Sequence, residues 1–325
     1  MQPISASPSN DARQSAEPAP GRFPNRALTL LAATRPAFLS VTGLAVVLGI
    51  ACAWHDLGRI DAASAIATLF FALVAHAGTN VINDYYDHLN GTDEANTERV
   101  FPFTGGSRFI QNGVLSAAQT RVFGYALLAM VIPAGIALTW HAGAGLLPIG
   151  LAGLLIGWAY SATPLELNSR GFGEPCVTAG MLCIVLGADY VQRGAYAITP
   201  LAAGLPYALI VTNILLINQF PDRKADIQAG KLHWVARLPL QCARWIYVGF
   251  LVLYAATLLL FARVTGDLPG PAVAALLALL PGAFAARQLL RHAGTPGLLA
   301  PAIRATIVSA LAAGLLLTAA MLTSR

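Results

Sequence analysis

Long unbroken apolar blocks dominate this chain and decide what it can become. Nine stretches, 36–54, 62–83, 120–140, 143–160, 173–191, 198–220, 241–262, 270–290 and 303–321, come close to the length a helix needs to cross a bilayer, about 20 residues. They lack both the alternation of a half-buried strand and the stripe of a soluble amphipathic helix. Only 11% of the 325 residues are Asp, Glu, Lys or Arg, where soluble domains carry about 25%. So little polar surface cannot cover a water-facing globule. It excludes a soluble enzyme and, despite a formal net charge of +5, a nucleic-acid binder. The expected fold is all-α, a polytopic membrane bundle of about nine transmembrane helices.

Positive charge gives the expected orientation. Sixteen of the twenty Lys and Arg fall before the first block or after every second one, leaving Arg59, Arg193, Arg263 and Arg325 on the other side. By the positive-inside rule the N-terminus is cytoplasmic, in a multi-pass protein of the cell inner membrane. Residues 1–27, rich in Pro, Ser and Ala, read as a disordered cytoplasmic tail. No apolar stretch in them resembles a secretory leader. Residues 28–325 form the transmembrane domain. The four cysteines have neither disulfide-framework nor zinc spacing.

Two cytoplasmic connections, about 84–119 and 221–240, are long and rich in charge, which points to function. The second block runs out through Asn80, Asn83, Asp84 and Asp87, with Asn80, Asp84 and Asp87 at i, i+4 and i+7 on one helical face. The sixth runs out through Asn218, Asp222 and Asp226, at i, i+4 and i+8 if the helix survives Pro221. Either motif alone would suit a solvated helix end pairing with nearby Arg and Lys. Together they place four carboxylates at the membrane surface, which is costly without a neutralising cation. Hard oxygen ligands favour Mg²⁺, which takes one or two carboxylates and leaves its other positions to water and phosphate. Arg99, Arg108, Arg223, Lys224 and Lys231 are close in sequence and suited to the charge of a diphosphate.

These paired motifs resemble the UbiA superfamily of intramembrane prenyltransferases. Four stretches, NDYYDHLNGTD (83–93), PFTGGSRFIQNGVLS (102–116), YSATPLELNSRGFGE (160–174) and NQFPDRKADIQAGKLHWVARL (218–238), are most similar to its 1,4-dihydroxy-2-naphthoate polyprenyltransferases. The resemblance covers about 28–322. It implies Mg²⁺-dependent transfer of a polyprenyl group from its diphosphate to an aromatic acceptor, as in menaquinone biosynthesis, with loss of the ring carboxylate if the acceptor is the naphthoate. Asp84, Asp87, Asp222 and Asp226 would bind the metal, with Asn80, Asn83 and Asn218 in support. Arg99, Arg108, Lys224 and Lys231 would bind diphosphate, Tyr160 would face the reacting carbon, and Arg35 would reach the acceptor. Partners are then the polyprenyl diphosphate, the acceptor and the bilayer, with the site facing the cytoplasm.

The chain departs from the family pattern in places. Many relatives carry a third acid where Gly91 stands here, Asp93 being the nearest substitute, and Lys231 is followed by Leu232, His233 and Trp234 where a basic residue is usual. Two other readings remain open. The acceptor could be 4-hydroxybenzoate or another aromatic, and intramembrane acids also mark ion-coupled transporters, though those place them nearer the midplane.

Overall fold

A bilayer core offers the backbone no hydrogen-bond partner but itself, so the apolar blocks fold as helices. The computed structural model describes residues 17–324; residues 1–16 of the expected tail, Arg13 among them, and Arg325 lie outside the described residues. The spans are α1 Pro36–Leu57, α2 Ala62–Leu89, α3 Ala117–Ala142, α4 Leu146–Ala159, α5 Gly173–Arg193, α6 Thr199–Gln228, α7 Leu240–Leu259, α8 Leu279–His292 and α9 Ala300–Thr323. A π-helical turn, Leu260–Thr265, lengthens α7, and a 3₁₀ stretch, Gly270–Ala278, leads into α8.

Among the described residues, eight helices are long and apolar enough to cross a membrane. The fourth expected span is shorter than its apolar block. Gly143 leaves the helical region at φ 108°, so α4 begins only at Leu146 and has 14 residues, about 21 Å at 1.5 Å each. Residues 17–27 also depart from the expected tail. Asn25 caps a helix over Arg26–Ala33 by accepting from Leu28 N at 2.9 Å, and Glu17 is buried.

The central pillar is α6, which is 83% buried over its most apolar window. It packs against α5, α7, α9 and α1. Two of its buried donors are satisfied from these neighbours, as the low dielectric favours: the Tyr207 hydroxyl donates to Val41 O at 2.8 Å and Asn213 Nδ2 to Tyr247 O at 3.2 Å. Pro206 and Pro221 both remain inside the helix. On the other side α2 packs chiefly on α3, while α4 leans on α5. At the end away from the acidic motifs, Arg193 holds the buried Asp189 at 2.8 Å and Asp56 at 2.7 Å, tying α5 to α1. Helices α1 to α6 line a cavity that reaches the acidic motifs at one end.

Candidate active site

Both acidic motifs lie in the last turns of their helices, Asp84 and Asp87 in α2, Asp222 and Asp226 in α6. A helix C-terminus carries partial negative charge, so four carboxylates there raise the demand for cations. Because α6 continues past Pro221, Asn218, Asp222 and Asp226 do share a face, and all three line the cavity. From α2, Asn80, Asn83 and Asp87 line it too.

Each carboxylate has protein partners. Arg35, at a left-handed φ of 57° between the first short helix and α1, ion-pairs with Asp84, which also accepts from Ser107 N at 3.2 Å. Lys231 Nζ reaches both oxygens of Asp87, at 2.9 and 3.0 Å, and lies 3.8 Å from Asp226. Asn83 Nδ2 bridges Asp87 and Ser161 Oγ, both at 3.0 Å. Asn96 Nδ2 donates to Asp222 at 2.5 Å. His233 lies 2.9 Å from Asp226 through Nε2; Ala236 N–H occupies Nδ1, which leaves Nε2–H to donate to the carboxylate. Asn80 donates to Thr34 O at 3.0 Å.

Lys231 arrives through the end of α6. Gly230 takes φ 76°, its N–H bonds Ile227 O at 3.2 Å, and Lys231 N–H bonds Asp226 O at 2.7 Å. This is a Schellman ending, which requires a left-handed residue after the cap. Burial works against the charge of Lys231, but the carboxylates of Asp87 and Asp226 outweigh it and raise its pKa, so the ammonium stays protonated. The loop from 96 to 112 lines the same end of the cavity through Asn96, Phe103, Thr104, Gly105 and Gly106. There Gly106, at φ 73°, packs its Cα against the buried carboxyl of Asp93, where a side chain would collide. Burial first, then the nearby Asp87 and Asp84, push Asp93 well above the usual carboxylate range.

The cavity measures about 620 Å³. Charged and amide groups line one end of it. The rest is largely apolar, broken by His76 and a few threonines, from Tyr160 down past Gly153 and Ile149 to Val191 and Thr68 near the opposite end of the helices. Such a shape suits an amphiphilic ligand with a charged head and a hydrocarbon tail.

The structure brings many of the expected site residues together at one end of the cavity and leaves others away from it. Asp87, Asp222, Asp226, Asn80, Asn83, Asn218, Tyr160, Lys231 and Arg35 all reach the cavity, while Asp84 meets it through Arg35. Arg99 and Arg108 do not border it: Arg99 pairs with Glu17, and Arg108 donates to Asp93 O with Glu17 3.9 Å away; Lys224 is exposed, paired with Glu98. Asn96, Ser161 and His233 are partners of the acids that sequence reasoning does not reach. The sequence signals for them are slight: Ser161 lies in the 160–174 stretch and His233 in the unusual Lys231-Leu232-His233-Trp234 run.

Among the described residues no three His, Cys, Asp or Glu converge closely enough to hold a metal unaided. Yet Asn218 Oδ1 and Asp226 Oδ1 are buried acceptors without a hydrogen-bond partner. Hard oxygens with unused lone pairs beside a cavity fit Mg²⁺ that draws its remaining ligands from phosphate and water, although Lys231 also lies 3.8 Å from Asp226 Oδ1.

The helical membrane bundle and its acid-mouthed, apolar cavity define an enzyme-like intramembrane pocket. Residues 42–300 match the model of the UbiA prenyltransferase family, and the chain belongs to it. It is 25% identical over 235 residues to UbiA prenyltransferase domain-containing protein 1 of Dictyostelium discoideum, covering 69% of this chain and 68% of that one. It is 26% identical over 204 residues to the 1,4-dihydroxy-2-naphthoate octaprenyltransferase of Bacillus subtilis, covering 61% of this chain and 62% of the relative. In fold it resembles a UbiA homologue from Archaeoglobus fulgidus, with TM-score 0.62 and 15% identity over 89% of this chain and 98% of that one. A structure of that homologue bound to DMAPP and Mg²⁺ aligns with TM-score 0.57 and 16% identity, over 85% and 98% of the two chains.

Proposed function

We propose that this protein transfers a polyprenyl group from its diphosphate to 1,4-dihydroxy-2-naphthoate, with Mg²⁺, as a step of menaquinone biosynthesis at the cytoplasmic face of the cell inner membrane. One observation carries the reading. Two acidic helix ends meet at the mouth of a single cavity whose remaining length is largely apolar. The relatives named for naphthoate octaprenyl transfer, and the homologue bound to DMAPP and Mg²⁺, support it.

In this reading Asp84, Asp87, Asp222 and Asp226, with Asn218, hold the metal. When bound, Mg²⁺ neutralises charge gathering on the departing diphosphate. Lys231 and Arg35 keep fixed positive charge at the same mouth, where the diphosphate's remaining oxygens would sit. The allylic carbon–oxygen bond breaks with its electron pair leaving on the diphosphate, the ring carbon supplies the pair for the new bond, and the ring regains its aromatic electrons as its carboxylate leaves as CO₂, the bond pair returning to the ring. The apolar walls exclude water from the electron-poor prenyl fragment. Tyr160 presents an aromatic ring to the cavity below the acids, where a π face favours positive charge.

The test is a membrane assay with radiolabelled prenyl diphosphate, offered naphthoate or 4-hydroxybenzoate separately, in Mg²⁺ or EDTA. The expected result is product from naphthoate alone, and only with Mg²⁺. Product from 4-hydroxybenzoate alone would retain the chemistry and replace the acceptor. Transfer that persists in EDTA would remove the metal assignment.

A further inference from the structure

Glu17 lies well before the residues that match the family model, yet it is only 4% exposed. Its Oε1 accepts from Arg99 Nε at 2.7 Å and its Oε2 from Asn112 Nδ2 at 3.2 Å, while Arg108 Nε lies 3.9 Å from Oε2. Asn112 also donates to Pro18 O at 2.9 Å, Arg22 donates to Glu17 O at 2.6 Å, and Phe23 stacks on Phe109 with ring centres 5.5 Å apart. The segment is thus fastened to the 96–112 loop by charge at one end and by an aromatic pair at the other.

That loop serves the acidic mouth. Asn96 Nδ2 donates to one oxygen of Asp222, and Gly105 N–H points at the other from 3.4 Å. Arg99 Nη1 holds Asn96 O at 2.7 Å, and the Arg99 stem lies directly beneath Gly105, so close that a side chain on residue 105 would strike it. Neither Glu17, Arg99 nor Arg108 borders the cavity, so Glu17 does not block the diphosphate position. It sits behind the loop.

We propose that residues 17–23 form a fixed strap and that Glu17 is a positioning residue, holding Arg99 under Gly105 so that the loop keeps its contacts with Asp222 and Asp84. Burial opposes the charge of Glu17, but hydrogen bonds from Arg99 and Asn112 and the charges of Arg99 and Arg108 hold its carboxyl below the usual range, so it is ionised at neutral pH. Arg99 and Arg108 then act through the loop.

The consequence for catalysis rests on the prenyl-transfer reading, whereas the strap itself does not. Glu17→Gln, Glu17→Asp and the exchange of Glu17→Arg with Arg99→Glu would be compared in the full chain. Two readouts are needed: KM and kcat for prenyl diphosphate, and the rate of tryptic cleavage after Arg99 and Arg108 (after Arg108 alone in the exchange variant), followed by mass spectrometry. Glu17→Gln should raise KM about tenfold, the loss of one charge-assisted contact, with kcat within about twofold and faster cleavage. Glu17→Asp should lie between, and the exchange should restore both KM and protection from cleavage. An unchanged KM with unchanged cleavage would overturn the strap. A lower KM would overturn it in favour of a segment competing with diphosphate, and failure of the exchange to restore KM would do so in favour of Arg99 binding diphosphate directly. If the wild type transfers no prenyl group, the proposed function falls and cleavage alone decides the strap.

Discussion

At the scale of single residues the site is an arrangement of negative charge matched by fixed positive charge. Asp84 meets Arg35 and Asp87 meets Lys231, which also lies 3.8 Å from Asp226, while His233 adds a hydrogen bond to Asp226. The acids are legible in the sequence because their i, i+4 spacing is local. Their partners are less so, since Asn96 and Asp222 are 126 positions apart and meet only through the fold. Replacing Asp87 or Asp226 by Asn should cut turnover by about 10²–10³, the usual loss when one electrostatic stabiliser is removed; wild-type-like activity in both variants would remove them from the metal site. Asp93 gives a second prediction, in stability. Its folded pKa lies above the unfolded 3.8, with burial the main cause. The stability it confers is therefore complete below the unfolded value and is lost as pH rises through the folded one. Asp93→Asn should leave Tm unchanged near pH 3.5 and raise it at pH 7 to 8, measured without Mg²⁺. A lower Tm at pH 8 would show that the ionised form is the one the fold needs.

At the scale of elements, apolar length locates the spans, and turn chemistry decides what they deliver. Pro221 suggests a break in α6, but the helix runs on to Gln228, and that continuity puts Asp226 on the face of Asn218. A helix so deeply packed tolerates the lost backbone bond because its neighbours hold it. The shortness of α4 is not legible from hydropathy, which does not register that Gly143 leaves helical geometry. The Schellman ending of α6 matters most, because it returns Lys231 to the carboxylates it neutralises. Gly230→Ala should cost about 1 kcal/mol through its left-handed backbone and raise KM for the diphosphate more than it lowers kcat. Thermal unfolding and steady-state kinetics on the same preparation would check both. A loss of stability with KM untouched would show that Lys231 finds its place without the turn.

At the scale of the molecule, α2 and α6 end on the same side, and the basic excess of the connecting segments lies on that side too, so the charge bias along the chain carries an expectation of which face is cytoplasmic. The acids, Lys231, Arg35 and the loop beside them form one chemical face, and the largely apolar cavity runs from it toward the far end of the bundle. In the proposed reaction the diphosphate head and the acceptor ring meet at this face, so the side on which it lies bears on whether the reaction can draw on cytoplasmic substrates. Cys242 reports on it. It is exposed, three residues into α7 at the acidic end, while Cys52 and Cys176 are buried and Cys183 is partly so. A membrane-impermeant maleimide should therefore label the protein in inverted membrane vesicles and leave it unlabelled in intact spheroplasts, with Cys242→Ser abolishing the signal. Labelling from the outside of spheroplasts that is lost in Cys242→Ser would turn the bundle over, place the acidic mouth on the external face, and count against substrates drawn directly from the cytoplasm.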